Sequence, residues 1–361
     1  MLSLTVDRLT SILDDIRGRR VLVVGDLILD EYLWGRTERI SPEAPIPIVD
    51  IERRSTGPGG AANAARSIAA LGGEVAIAGV IGNDDTGPQL LRALAGIGIE
   101  DGGVVTDASR PTTRKTRVLA HSQQVVRLDY EDRSTISEAV CDQLLQRLVP
   151  LLDDVHGVVV SDYDKGALSP ALTEGLFGEA AARGLTVVVD PKPNNVRLFC
   201  GATVVTPNEK EAVAAATLVG LSSANWPSGA PTPHLVPSGT GHEFSTSPSD
   251  EDALIQAART LRRVLSAEHI LVTRSDRGML LLSGDGEQPD SVPAVAKEVY
   301  DATGAGDTVS GTLGLCMASG TAVNEAMRVA NLAAAVVVRK LGCATASPKE
   351  IVQTAQQAET P

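Results

Sequence analysis

Short runs of valine, isoleucine and leucine recur along the chain, each ending in a polar or glycine-bearing turn: Arg20 to Asp26, Gly157 to Val160, Leu185 to Asp190, Ala202 to Thr206 and His269 to Thr273. Runs this short and this apolar read as strands buried on both faces. Helical stretches fall between or beside them at Pro170 to Arg183, Glu209 to Ala215 and Ala253 to Leu265, and the last third is largely helical. Strands alternating with helices predict a three-layer, doubly wound, mostly parallel α/β sheet. Val75 to Val80 and Met279 to Leu282 read as further strands, and Gln89 to Leu94 as a helix.

Some early segments break this rhythm. Ile46 to Ile51 is extended and follows prolines, while Thr116 to Ala120 and Gln124 to Tyr130 look like a hairpin. These are expected to form a small separate sheet. Gly57 to Gly60 reads as a loop leading into a small-residue helix from Ala61 to Leu71. Residues 220–250, rich in Ser, Pro, Gly and Thr, are expected to be a flexible surface insertion.

Composition narrows the partners. A formal charge of −13 and an aromatic content of 2% argue against a nucleic-acid partner, which needs basic surface and stacking rings. An anionic small substrate is compatible with that total if a few Lys and Arg gather around it. The four cysteines, Cys141, Cys200, Cys316 and Cys343, make no metal-ligand spacing and are expected to be reduced core thiols. Residues Met1 to Arg20 lack the apolar run of a signal peptide, and no stretch approaches a membrane span. The expected setting is cytoplasmic.

Chemistry concentrates in Asp301-Ala302-Thr303-Gly304-Ala305-Gly306-Asp307-Thr308. Glycines 304 and 306 allow backbone amides to turn inward at a helix start, where free amides and the helix dipole form an anion site. A carboxylate beside it, Asp307, can accept a hydroxyl proton while the amides hold a transferring phosphoryl group. For an isolated Gly-x-Gly-Asp, an ordinary acidic first turn is the commoner explanation. Two further features add weight. Gly57-Pro58-Gly59-Gly60-Ala61-Ala62-Asn63 lets a ligand approach the backbone and supplies an amide for hydroxyls. Polar residues also collect at strand ends: Asp26 and Asp30, Asp190-Pro191-Lys192, Thr206-Pro207-Asn208-Glu209 and Thr273-Arg274-Ser275-Asp276-Arg277-Gly278. Ligands of parallel sheets bind just beyond such ends.

Residues 57–63 and 301–308 resemble the two signatures of the PfkB (ribokinase-like) carbohydrate kinases, over a strand–helix order that fits nearly the whole chain. Within that family, Gly25 to Tyr32, Arg39 to Pro47, Gln123 to Asp129, Ser161 to Gly166 and Val299 to Asp301 are similar to the D-glycero-β-D-manno-heptose 7-phosphate kinases. The resemblance implies a ribokinase-like fold with a β lid over residues 31–54 and 112–130, which often mediates dimerisation. It implies Asp307 as base and the amides of Ala305 and Gly306, after Gly304, as anion hole. Asn208 and Glu211 would face ATP and Mg2+. Thr273, Arg274, Ser275 and Gly278 would border the nucleotide, with Asn331 near its adenine or ribose.

On the sugar side, the resemblance implies that Asp26, Asp30, Gly59, Gly60 and Asn63 hold hydroxyls, with Asp190 at the neighbouring strand end. Two or three of Arg127, Lys165, Lys192, Lys115 and Arg117 are expected on a sugar phosphate, although Lys115 and Arg127 also read as solvated surface charges. Trp34 either covers the sugar or packs the lid. Asp301 and Thr303, with Ser347, resemble the K+ site of some relatives. The histidines are isolated and suggest no metal. No His-x-Gly-His element appears before Pro361, so adenylyl transfer, the second activity of bifunctional relatives, is expected to reside elsewhere. The same chemistry on another sugar and a catalytically silent sugar- or nucleotide-binding regulator remain alternatives. A nicotinamide dehydrogenase fits poorly, because no Gly-x-Gly-x-x-Gly follows the first strand.

Overall fold

The structure, a computed structural model, describes residues 4–121, 123–220, 248–284, 288–296 and 298–359. The expected insertion at 220–250 falls almost wholly outside the described residues. In chain order the elements are α1 (Val6–Asp15), β1 (Arg20–Gly25), β2 (Leu27–Ile40), β3 (Pro47–Gly60), α2 (Ala61–Ala70), β4 (Glu74–Gly82), α3 (Thr86–Ala95), β5 (Glu100–Asp107), β6 (Thr113–Ala120) and β7 (Gln123–Tyr130). They continue with α4 (Glu138–Leu151), β8 (Gly157–Ser161), α5 (Pro170–Ala182), β9 (Thr186–Asp190), β10 (Val204–Val205), α6 (Glu209–Gly220) and α7 (Pro248–Leu265). The chain ends with β11 (His269–Thr273), β12 (Met279–Leu282), β13 (Asp290–Val292), α8 (Ala305–Ala318), α9 (Val323–Val337) and α10 (Pro348–Glu359).

Nine strands form one sheet in the order β13-β12-β11-β10-β9-β8-β1-β4-β5. It is parallel from β5 to β11, and β12 and β13 run antiparallel at one edge. The central strands are apolar almost throughout because alternate residues enter different cores. Val21 and Val23 pack with α1, α2, α8 and α9, whereas Leu22 and Val24 pack with α4 to α7. Burying a side chain of this size contributes ~1.5–3 kcal/mol, so either polar replacement is costly.

The chain leaves β1 toward β4 on one side and leaves β8 toward β9 on the other. Strand order therefore reverses between β1 and β8. The crevice at their carboxyl ends is where an open α/β sheet binds ligands.

A second sheet has the order β3-β2-β6-β7. Strand β2 begins in the core, with Leu27 to Glu31 buried, and then runs outward into exposed sequence. Residues 57–60, expected as a loop, instead form the end of β3, pairing antiparallel with Leu27 to Asp30. A Cβ at 59 would lie 2.3 Å from Asp30 Oδ2, so glycine there leaves this carboxylate its place. Two strands were not anticipated: β5, which contains adjacent glycines, and the three-residue β13.

Candidate active site

Helix α8 opens on Gly304, whose φ of 79° is left-handed and whose added Cβ would lie 2.5 Å from Asn63 Nδ2. Only glycine fits that conformation and that approach. It delivers Asp307 to the first turn of α8, almost wholly buried. Asn63 Nδ2, on α2, donates to Asp307 Oδ2 at 2.7 Å, and the Tyr163 hydroxyl, just after β8, donates to Oδ1 at 2.8 Å. Burial pushes the Asp307 carboxyl up to about 6, against the pull of these two hydrogen bonds and of Lys192. Asp30 adds repulsion in the same direction. A carboxylate whose proton affinity is raised toward neutrality, yet held by two donors, has the properties of a general base.

Beside it lies a cavity of about 240 Å³ whose lining includes Asp30, Gly60, Tyr163, Thr303, Gly304 and Asp307. Three cations, Lys115, Arg117 and Arg127, line it as well, with Cys343 and Ile28 completing the wall. Lys115 and Arg117 come from β6 and Arg127 from β7, on residues two apart or directly paired across the ladder, so they share one sheet face. Arg117 Nη1 reaches Asp30 Oδ1 at 2.5 Å. Arg127 bonds Asp129 through Nε and Nη2 at 2.9 and 3.0 Å and is half exposed. Lys115, whose side chain also read as a surface charge, is 14% exposed and 3.8 Å from both Asp129 and Glu131. Burial lowers its proton affinity, and Lys165 adds to this.

Other expected substrate residues lie outside this cavity. Asp26 faces inward, its carboxylate accepting the backbone N–H groups of Tyr163, Lys165 and Ala167 at 2.8–3.2 Å. It shapes the loop that presents Tyr163. Lys165 is buried and paired with Glu131 at 2.8 Å, behind the cavity. Lys192 points toward Glu211, 2.5 Å away, and lies 5.5 Å from the Tyr163 ring. Burial holds the Asp190 carboxyl well above the usual range, and nearby Glu211, Asp307 and Asp162 push the same way against Lys192. Trp34 belongs to the second sheet: it stacks on Tyr32, donates to Ser55 Oγ at 3.1 Å and borders a smaller neighbouring cavity.

The expected nucleotide-side residues are structurally engaged. Asn208 and Glu211 form a reciprocal cap of α6: Glu211 N–H donates to Asn208 Oδ1 at 2.9 Å, and Asn208 N–H donates to Glu211 Oε2 at 3.0 Å. Asn208 also bridges to Thr273 of β11. Buried Arg274 bonds Glu209 at 3.0 Å and Glu251 at 3.3 Å, fixing the turn that carries Ser275 and Gly278. Asn331 donates to the Pro293 carbonyl at 2.8 Å. Asp301 accepts the N–H groups of Thr303 and Gly342, both at 2.9 Å, which lower its proton affinity against the effect of its burial. Ser347 and Glu350 form a second reciprocal cap, on α10.

Three residues of the site escaped the sequence reading. Tyr163 sat inside a quoted motif without a role, yet it contacts Asp307. Asp162 braces two loops, accepting from Lys192 N–H and Asp164 N–H at 2.8 Å and from Asn195 at 3.0 Å. Cys343, expected in the core, lies in the cavity wall 3.3 Å from Asp30 Oδ2, and burial pushes its thiol up to about 12. Cys200 is exposed, while Cys141 and Cys316 are buried as expected. No helix of the described residues is long and apolar enough to cross a membrane.

The profile of the pfkB family carbohydrate kinases matches residues 19–350. The bifunctional protein HldE of Trichlorobacter lovleyi is 42% identical over 333 residues, covering 92% of this chain and 62% of that protein. HldE of Paramagnetospirillum magneticum is 41% identical over 340 residues, or 94% and 64% of the two chains. The chain thus spans less than two thirds of the length of these relatives. Arabidopsis thaliana ribokinase complexed with ribose and ATP superposes with a TM-score of 0.67 at 19% identity, covering 94% of this chain and 99% of that one. Phosphofructokinase-2 from Escherichia coli in complex with potassium gives 0.70 at 20% identity, covering 95% and 99%. At such identities the two structures speak to the fold alone, which is ribokinase-like. The profile match over most of the length, with 42% identity to a curated relative, makes the chain a member of the pfkB family of carbohydrate kinases, phosphotransferases acting on sugar hydroxyls.

Proposed function

We propose that this chain transfers the γ-phosphoryl group of ATP to the anomeric hydroxyl of D-glycero-D-manno-heptose 7-phosphate, giving the 1,7-bisphosphate. The observation that carries this reading is one cavity lined both by Asp307 and by Lys115, Arg117 and Arg127. Although Arg117 pairs with Asp30, and Arg127 and Lys115 lie against Asp129, three cations on one cavity suit a sugar phosphate, which presents a hydroxyl and a dianion, better than a neutral sugar. Its likeness to the HldE proteins supports the heptose within that class.

Asp307 takes the proton of the acceptor hydroxyl as the hydroxyl oxygen attacks phosphorus. The amide of Gly306 at the start of α8 stabilises charge on the transferring group, joined by that of Ala305 on release from the Ala302 carbonyl, to which it donates at 3.2 Å. Asn63 and Tyr163 orient the carboxylate, and Asp30 with Arg117 holds the sugar. The nucleotide is placed against Asn208, Thr273 to Gly278 and Asn331. Among the described residues no group of three or more His, Cys, Asp or Glu forms a metal cage. Glu211, with Asp190 within electrostatic reach of it, suits the alternative of one or two carboxylates facing an ion carried by ATP. Mg2+ held there would supply charge neutralisation on the phosphates. A K+ ion near Asp301, Thr303 and Ser347 belongs to the same reading, supported by the potassium complex of the fold neighbour. So does a homodimer through the second sheet, where Val126, Leu128 and Tyr130 alternate away from Arg127 and are 43–50% exposed.

The test is ATP consumption by the purified protein against a sugar panel that includes this heptose phosphate, with Asp307→Asn alongside. Turnover confined to the heptose phosphate and lost in the variant is the expected result. Turnover with another sugar phosphate keeps the kinase and removes the heptose assignment.

A further inference from the structure

Arg66 stands one helical turn beyond Asn63 on α2 and has no role in the account above. Its Nη2 donates to Asn63 Oδ1 at 2.8 Å and to the backbone carbonyl of Cys343. A guanidinium can only donate, so the Asn63 atom that meets it must be the carbonyl oxygen. Nδ2 is then left to face Asp307, whose Oδ2 accepts from it at 2.7 Å. Asn63 is fully buried, so its amide is committed to these neighbours.

We propose that Arg66 is a positioning residue for the base: by holding the Asn63 carbonyl it keeps an N–H donor on Asp307 and so keeps that carboxylate ready to accept a proton. The proposal rests on the reading of Asp307 as base. If the amide turned over, Asn63 Oδ1 would meet a carboxylate oxygen. Two acceptors tolerate that contact only when the carboxyl takes up a proton and becomes the donor. The turned-over state is therefore a disabled base.

The other groups facing Asp307 act by different routes. Tyr163 donates to its second oxygen at 2.8 Å. Asp30 on β2 disfavours its ionisation and Lys192 beyond β9 favours it, with Asp190 and the Cys343 thiol also within electrostatic reach. Arg66 differs from these in acting through the orientation of a neutral amide.

The test compares Arg66→Met with Arg66→Lys, which can still donate to the Asn63 carbonyl. The first readout needs no substrate: a carbon-13 NMR titration of the aspartate carboxyls, with the Asp307 signal identified by its loss in Asp307→Asn. The midpoint is expected to rise by ~1 pH unit in Arg66→Met and to stay near the wild-type value in Arg66→Lys. The second is the pH profile of kcat/KM with the heptose phosphate. Its acidic limb should move up equally, a ~5-fold loss at pH 6 that approaches ~10-fold at pH 5 and is restored by pH 8.5. An Asp307 midpoint unchanged in Arg66→Met overturns the proposal. A shifted midpoint beside an unshifted rate profile overturns instead the role of Asp307 as base. If Arg66→Met does not fold, Arg66→Ala is read by the same titration and decides in the same way.

Discussion

Converting Asp307 to asparagine removes the one ionisable oxygen pair at the start of α8 and should leave a protein that is inactive but more stable at neutral pH. The carboxyl is raised from an ordinary 3.8 to about 6, chiefly by burial. The native state therefore binds this proton more tightly than the unfolded chain does. Stability is lost as pH rises from about 4 to about 6, and the full cost, ~3 kcal/mol, is present above that window. Asparagine carries no charge and avoids the cost at every pH. Its amide must place an NH2 group where one carboxylate oxygen was. At the Oδ1 position the neighbour is the Tyr163 hydroxyl, which can rotate to accept. The Asn63 amide can keep donating to the remaining oxygen. Imperfect geometry there returns ~1 kcal/mol, so the expected gain is ~1–3 kcal/mol at pH 7.5. Thermal melting should show this as a rise of a few degrees at pH 7.5 that shrinks toward zero by pH 4. A variant equally or less stable at pH 7.5, or a gain independent of pH, would refute the argument that the site holds a desolvated carboxylate at its own expense.

Replacing Arg117 by methionine removes a cation from the cavity and unpairs buried Asp30. KM for the sugar phosphate should rise ~10–100-fold in steady-state assays, with KM for ATP little changed. Tyr163→Phe deletes a buried hydrogen bond to a charged oxygen, so the acidic limb of the kcat/KM profile should move up by ~1–2 pH units. Gly304→Ala places a Cβ 2.5 Å from Asn63 Nδ2 at a left-handed residue. It should lower stability by ~1–3 kcal/mol in denaturant titration and depress kcat more than KM.

The sheet was legible because burial on both faces writes itself as unbroken valine runs, and the helices between them could take only one architecture. Strand β5 was not, since Gly102 and Gly103 weaken its pattern. A Cβ at Gly103 would meet Ala78 of β4 at 2.7 Å, a demand set by a neighbour rather than by local sequence. Residues 57–60 misled for a similar reason: glycine-rich sequence suggests a turn, but here it makes room for Asp30. In the site, Asp307, Asn63 and Gly304 could be picked out by residue type. Tyr163, Arg66 and Cys343 could not, because each matters through a partner far away in the chain. Asp26, expected to hold hydroxyls, also accepts three backbone N–H groups, an engagement that residue type cannot reveal.

The cavity draws its two working halves from different sheets. Asp307 rides on a helix packed against the nine-stranded sheet, while Lys115, Arg117 and Arg127 stand on the four-stranded one. In the proposed reaction, a substrate with a phosphate at one end and the acceptor hydroxyl at the other acts as a rivet through both. Recognition of the phosphate and alignment of the hydroxyl then become one mechanical event. The sugar without its phosphate would leave the halves unjoined, and water, which can join nothing, would be the poorest acceptor of all. In that reading, spreading the cavity over two sheets would give the enzyme a way to withhold ATP from every hydroxyl that does not arrive with its own anchor.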